Sequence, residues 1–293
     1  MSRGRNSGPD GVLIIDKPPA MTSHDVVDVV RKRFRTKRVG HAGTLDPDAT
    51  GLLMLGLGKA TRFLSYAQAS PKRYRTTAVF GVTTSTQDAS GEILEKRPVD
   101  ISEAGVREAM SSLTGDIEQI PPMVSAVKVG GERLYRKALR GESVERTARP
   151  VTIHAFELLS LTPDPPEAEL EVRCSGGTYV RTLVHDLGAR LGCGAHLREL
   201  RRVENGGFIE SDAVPLDAVD DSHLLPILDA VRELPRLEID AAAARLVSHG
   251  RSLPLATGEF TEGKAVAVVH GGELVAVYLR KDEELVPDRV VPG

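Results

Sequence analysis

The chain has 293 residues, of which 41% are hydrophobic and 27% charged, with a net charge of -3. That is room for one large domain and a small one in a globular protein, and its longest apolar run, near Leu52–Leu57, is far shorter than the ~20 residues of a membrane-spanning helix. Two cysteines, Cys174 and Cys193, lie outside any CxxC or Cys/His cluster, so zinc and redox chemistry have no support and two reduced thiols are expected.

The N-terminus, MSRGRNSGPDG, is polar and lacks the apolar centre of a signal peptide. It reads as a disordered lead over residues 1–10, and the cytoplasm is the expected location. A strand follows over 12–18, stopped by Pro18 and Pro19. Thr22 or Ser23 then caps a helix whose Val26, Val27, Val30 and Phe34 share one face. The glycine-rich stretch GHAGTLDPDATGLLMLGLG (40–58) turns into a strand near 52–57. KATRFLSYA (59–67) reads as a helix with Ala60, Phe63, Leu64 and Ala67 inward, and RYRTTAVF (73–80) as a strand. Asp100 or Ser102 caps a helix carrying Val106, Met110 and Leu113. Residues 121–150, with a basic helix near 132–140, look like an insertion. Strands at 151–160 and 168–174 precede an amphipathic helix over 178–192. The acidic, weakly patterned 206–233 leads to a boundary near 230–236. The runs 265–269 and 274–279, joined across HGGE, form a hairpin in a small β-rich domain. Strands and helices mix without a βαβ period, which predicts an α+β fold with a largely antiparallel mixed sheet flanked by helices.

Charge is segregated. Residues 1–205 hold 30 Lys/Arg against 25 Asp/Glu, and residues 206–293 hold 8 against 16. Local basic patches therefore steer partners more than the negative total does.

Asp46 is the candidate for chemistry. Gly40, Gly43 and Gly51 permit tight turns or close approach, and Pro47 biases Asp46 toward extended geometry. Taken alone, an Asx-turn or a solvated acid explains this aspartate more simply. A shielded yet ionised carboxylate needs a cation, and Arg181, where a helix follows CSGGTYVR, is the candidate partner. The chain has no tryptophan, so base stacking would fall to tyrosine or phenylalanine. Tyr74 lies in KRYR, where strand alternation sets it on the face opposite Arg73 and Arg75. Tyr179 sits beside Arg181.

These elements together resemble the TruB family of tRNA pseudouridine synthases, the bacterial pseudouridine-55 type. The resemblance rests on DKPPAMTSHDVV, RVGHAGTLDPDATGLLMLGLGKATRF, KRYR, GDIEQIPPMVSAVKVGGERLY, ARPVTI, CSGGTYVRTLVHDLG and LGCGAHLREL, in the family's order across residues 11–205. It implies a pseudouridine-synthase catalytic domain over 11–230 with an RNA-contacting insertion at 121–150. A PUA-like RNA-binding domain is implied over 235–293. The implied reaction turns a T-loop uridine of tRNA (position 55) into pseudouridine, with no cofactor and no metal. Asp46 falls on the family's nucleophile. Tyr74 would pack on the flipped base, and Arg181 would hold Asp46 charged. Tyr179 would belong to the pocket wall, His41 would lie near the flipped nucleotide, and Leu200 would line the uracil pocket. Lys17 would position its strand or contact RNA.

The basic clusters then have a use. RKRFRTKR contributes Arg31, Lys32, Arg33, Arg35, Lys37 and Arg38 as phosphate contacts. The insertion adds Lys128, Arg133, Arg136, Lys137 and Arg140, and RELRR adds Arg201 and Arg202. The expected partner is the tRNA T-arm, met by a monomer with no membrane and no protein partner. A non-catalytic RNA-binding or tRNA-folding protein is the alternative, with Asp46 and Arg181 as loop scaffolding. A sugar-active enzyme using Asp46 and Asp48 ranks below it, because one strand-like step points the two apart.

Overall fold

The computed structural model describes residues 8–123, 128–129, 132–133, 140, 144, 146–254 and 260–292. In chain order the strands are β1 (Gly11–Lys17), β2 (Val39–His41), β3 (Thr50–Leu57), β4 (Lys72–Phe80), β5 (Val82–Thr84), β6 (Ile93–Lys96), β7 (Gly115–Gln119), β8 (Lys128–Val129), β9 (Glu132–Arg133), β10 (Arg149–Pro163), β11 (Pro166–Cys174), β12 (Ala195–Asn205), β13 (Phe208–Ile209), β14 (Val214–Pro215), β15 (Arg236–Glu238), β16 (Leu253–Pro254), β17 (Ala265–His270), β18 (Glu273–Lys281) and β19 (Glu284–Val290). The helices are α1 (Ser23–Arg33), α2 (Leu64–Ala69), α3 (Glu103–Ser111), α4 (Val180–Arg190) and α5 (Ala241–Ser248). The lead expected over 1–10 lies outside the described residues as far as residue 7. Of the basic helix expected near 132–140, residues 132–133 pair with 128–129 as a ribbon, and 134–139 lie outside the described residues.

The chain divides into two compact units. The first comprises residues 1–47, 51–70 and 205–293. Here β1 runs antiparallel to β3, from Gly11 opposite Leu57 to Lys17 opposite Gly51, with β14 parallel on β1 and β2 antiparallel on β3. Val12–Ile15 of β1 and Leu52–Leu55 of β3 are apolar without alternation because both faces are covered there. Leu13, Ile15, Leu53 and Leu55 meet Val26, Val27, Val30 and Phe34 of the α1 region. On the opposite face Val12, Ile14, Leu52 and Met54 meet Phe63, Leu64 and Ala67 together with Ala267, Val269, Leu274 and Val277. The C-terminal sheet thus shares a core with β1 and β3.

That C-terminal sheet has the order β15-β17-β18-β19-β16, antiparallel except for β15 on β17. Its β17–β18 turn places Gly271 (φ 58°) and Gly272 (φ 80°) in the left-handed region that a tight hairpin of this hand requires. Its other face buries Val266, Val268, Ala276 and Tyr278 against Val247 of α5.

Helix α1 starts at a reciprocal box: Thr22 accepts from the Asp25 backbone at 3.0 Å, and the Asp25 carboxylate accepts from Thr22 N–H at 2.8 Å. It ends without the usual glycine. Arg35 takes the left-handed conformation (φ 51°), and Thr36 N–H reaches back to the Arg31 carbonyl at 3.1 Å. The KATRFLSYA segment is a 3-10 turn over Gly58–Arg62 followed by α2, and its four inward residues are all buried.

The second unit comprises residues 48–50 and 71–204. Its strands follow the order β12-β4-β11-β10-β7, and the β4–β11, β11–β10 and β10–β7 pairs are antiparallel. Ser102 caps α3, whose Val106 and Met110 are buried. Helix α4 closes on the start of β12 through Gly188: a Cβ there would lie 2.2 Å from the Ala195 nitrogen. A mid-helix glycine costs roughly 1 kcal/mol against alanine, and this one is retained because no larger residue fits. Both cysteines are free and buried, and burial pushes the Cys174 thiol up to about 11.

Candidate active site

Asp46 sits in the loop that joins β2 to β3. Ala42 N–H bonds the Met54 carbonyl at 2.9 Å, and Gly43 (φ 98°) then turns the chain outward. Two buried side chains hold the backbone on either side of the aspartate. Ser23, at the start of α1, accepts from Leu45 N–H at 2.8 Å and donates to the Leu45 carbonyl at 3.1 Å. Lys17, the last residue of β1, is fully buried, and its ammonium donates to the carbonyls of Pro18 (2.9 Å), Met21 (2.6 Å) and Pro47 (2.9 Å). Leu45 is itself buried, and Pro47 has a fixed φ. Asp46 is therefore half-buried between two pinned residues, whereas Asp48 is exposed. Beyond the bias expected from the glycines and Pro47, Lys17 and Ser23 tie the backbone on both sides of Asp46. The Lys17 ammonium thus ties the end of β1 to the turn that follows it and to the loop carrying Asp46. His41, on β2, is half-buried.

In the second unit Tyr74 lies on β4 opposite Val172 and is 8% exposed. Arg73 and Arg75 point to the other face, as alternation predicts. There Glu171 pairs with Arg73 at 3.4 Å and with Arg75 at 3.1 Å, and Glu204 lies 3.1 Å from Arg73. Leu200 is half-buried on β12. Tyr179 is the N-cap of α4, and Arg181 follows in its first turn, 4% exposed.

Arg181 Nη1 donates to Asp88 Oδ2 at 3.0 Å and to the Thr86 carbonyl at 3.3 Å. Burial would raise the Asp88 pKa, but hydrogen bonds from Ser90 and Thr86 and the Arg181 charge hold its carboxyl below the usual range. Thr86 Oγ1 and Ser90 Oγ each donate to Asp88 Oδ1 at 2.6 Å. Gln87, in the left-handed region (φ 66°), accepts from Thr182 Oγ1 at 2.8 Å. Sequence reading missed Asp88, although hydroxyls two residues before and two after it mark a carboxylate caged by its own turn. Ser23 and Gln119 were also missed; their partners lie 22 and 60 residues away.

The basic residues divide. Arg31 pairs with Asp28 at 2.9 Å and donates to the Val39 carbonyl at 3.1 Å. Arg33 spends one guanidinium nitrogen on the carbonyls of Leu216 (3.2 Å), Asp217 (2.8 Å) and Val219 (2.7 Å). Lys32, Arg35, Lys37 and Arg38 are exposed. Arg140 is exposed, and Arg201 is half-buried with Nη1 3.4 Å from Thr50 Oγ1. Arg202 is fully buried, so the phosphate contact expected there gives way to a core position. The side chains of Lys128, Arg133, Arg136 and Lys137 lie outside the described residues. Among the described residues no cluster of His, Cys, Asp and Glu could hold a metal, and no helix is long and apolar enough to cross a membrane.

Comparison with known proteins bears on this arrangement. Residues 31–180 match the family model described as TruB family pseudouridylate synthase, N-terminal domain, and residues 181–234 match the tRNA pseudouridylate synthase B C-terminal domain. The chain is 48% identical to the tRNA pseudouridine synthase B of Thermobifida fusca (strain YX), over 83% of this chain and 86% of that one. With the protein of that name from Leifsonia xyli subsp. xyli it shares 45% identity over 94% of each. Among solved structures it is similar to a chain of a Cbf5-Nop10-Gar1 complex, with a TM-score of 0.76 and 28% identity over 96% of this chain and 85% of that one. A family model spanning half the chain and near-half identity along most of its length lead to one conclusion: this chain belongs to the TruB family of pseudouridylate synthases.

Proposed function

We propose that this protein isomerises a uridine of tRNA to pseudouridine, at position 55 in the T-loop, with Asp46 as the nucleophile. The observation that carries the reading is the carboxylate presented between two backbone positions pinned by Ser23 and Lys17. The names of the relatives support the tRNA substrate and the reaction.

A base stacked in an RNA arm must first be flipped out, at a cost of a few kcal/mol. Stacking on Tyr74 returns about 1–3 kcal/mol of that. The isomerisation breaks the N1–C1′ bond and forms C5–C1′; C5 loses a proton and N1 gains one, so no external reactant is consumed. Asp46 attacks while ionised, Arg181 serves as the cation that keeps it so, and Tyr74 faces the base where the C5 proton leaves. Tyr179, His41 and Leu200 bound the nucleotide. Lys32, Arg35, Lys37, Arg38, Arg140 and Arg201 supply phosphate contacts to the T-arm, with the side chains of the 121–150 insertion. The protein acts as a monomer in the cytoplasm.

The test is base-specific mapping of pseudouridine in an unmodified tRNA transcript, with tRNA affinity measured in parallel. Wild type is expected to convert one T-loop uridine. Asp46→Asn is expected to bind tRNA and convert none. Binding of the arm by wild type without any pseudouridine would refute the proposal.

A further inference from the structure

We propose that Gln119 is a positioning residue for the reaction: its side-chain amide fixes the backbone of Tyr179, and with it the first turn of α4 that carries Arg181. The inference rests on the roles given above to Tyr179 and Arg181.

Gln119 ends β7 and is 2% exposed. Its Oε1 accepts from Tyr179 N–H at 2.7 Å, and its Nε2 donates to the Tyr179 carbonyl at 3.0 Å. Two bonds of opposite direction to one residue reproduce what a neighbouring antiparallel strand gives. Here a side chain supplies them, at a residue in extended geometry (φ -98°, ψ 102°) just where a helix begins.

A tyrosine has no short oxygen with which to cap a helix, and Tyr179 makes no such bond. Its carbonyl also accepts the first helical bond, from Leu183 N–H at 3.1 Å. Gln119 therefore orients the peptide group that starts α4. Arg181 lies two residues on, and its buried guanidinium has little freedom to follow a tilt of that turn while keeping Asp88. A glutamine suits this place because it donates and accepts at once. A leucine of similar size would leave the part-buried Tyr179 N–H without its acceptor.

The experiment compares wild type, Gln119→Leu, Gln119→Glu, Arg181→Lys and the Gln119→Leu/Arg181→Lys pair in single-turnover pseudouridine formation, with tRNA affinity and thermal unfolding alongside. A displacement of ~1 Å can cost ~100-fold in rate, so Gln119→Leu is expected to slow conversion about tenfold or more while tRNA affinity stays within about threefold. Gln119→Glu keeps the acceptor and loses the donor, so its rate is expected between wild type and Gln119→Leu. Because Gln119 acts through Arg181, the double variant is expected to be about as slow as the slower single variant. Fully multiplicative losses in the double variant would mark a merely structural role and overturn the inference. So would a wild-type rate in Gln119→Leu, or in Gln119→Glu should the leucine variant fail to fold. A wild-type rate in Arg181→Lys would remove the reading of Arg181 and this inference with it. A slow Arg181→Lys beside an unaffected Gln119→Leu sinks the inference alone.

Discussion

Arg35 carries a testable conflict between stability and binding. An L-residue in the left-handed region costs about 1–2 kcal/mol, and Arg35 holds φ 51° where helices commonly place glycine. Replacing it with glycine relieves that strain, but the glycine loses about 0.5–1 kcal/mol more chain freedom on folding. The net expectation for Arg35→Gly is a gain of about 0.5–1 kcal/mol, or roughly 1–3 °C in Tm. Among the described residues the Arg35 side chain makes no hydrogen bond or ion pair, so no internal contact is lost with it. Arg35→Ala removes the same charge and keeps the strain, so it gains no stability. If the side chain meets an RNA phosphate, both variants bind tRNA more weakly, and their log K against log salt slopes fall by about 0.7–0.9. Urea unfolding and filter binding across a salt series read the two effects separately. A wild-type salt slope in both variants refutes the phosphate contact, and equal stability of the glycine and alanine variants refutes the strain argument.

Other perturbations probe the clamps. Lys17→Met strips a donor from three carbonyls, Pro47 among them; set against the ammonium's own desolvation, a loss of about 2–4 kcal/mol is expected in urea unfolding. Pseudouridine formation by its folded fraction is expected to fall as well, and full activity would show that pinning Pro47 is irrelevant. Ser23→Ala removes two bonds to Leu45 and is expected to cost about 1–2 kcal/mol by the same measurement. For Asp88→Asn the sign follows from a folded pKa below the unfolded one: the carboxylate contributes stability above about pH 4, its ordinary range, and loses it as pH falls toward the folded value. The stability gap between wild type and Asp88→Asn is therefore expected to be full at pH 7 and to close below about pH 4. A gap that widens in acid would overturn the assignment.

What was legible in the sequence was local. The apolar runs of β1 and β3, the Thr22 cap with Asp25 three residues on, and the Gly271-Gly272 hairpin each carry their signal within a few residues. β12 was missed because AHLRELRRVEN has no clean alternation: a fully buried Arg202 sits where strand patterning looks for an apolar residue. β19 was missed because Pro287 interrupts ELVPDRV; it pairs with β18 along its length and with the short β16 only at Glu284 and Leu285, so among the described residues Pro287 has no ladder partner on the β16 side. At the candidate site Asp46 stood out through its loop, and Arg181 through its place after a glycine pair. Their supports did not. Asp88 is 93 residues from Arg181, and neither a buried lysine bonded to three carbonyls nor a glutamine acting as a strand has a local signature. Among the basic residues, side-chain type did not separate Arg33, tied to three carbonyls, from neighbours such as Lys32 and Arg35.

The core shared by the N-terminal strands and the C-terminal sheet has a consequence for synthesis. The ribosome delivers β1 and β3 first, yet the face bearing Val12, Ile14, Leu52 and Met54 gains Ala267, Val269, Leu274 and Val277 only near the end of translation. Until then Phe63, Leu64 and Ala67 cover that surface only in part, while about two hundred residues follow them out of the exit tunnel. A nascent chain stalled before residue 265 is thus a client for a holding chaperone, and loss of the last strands exposes a sticky half-core.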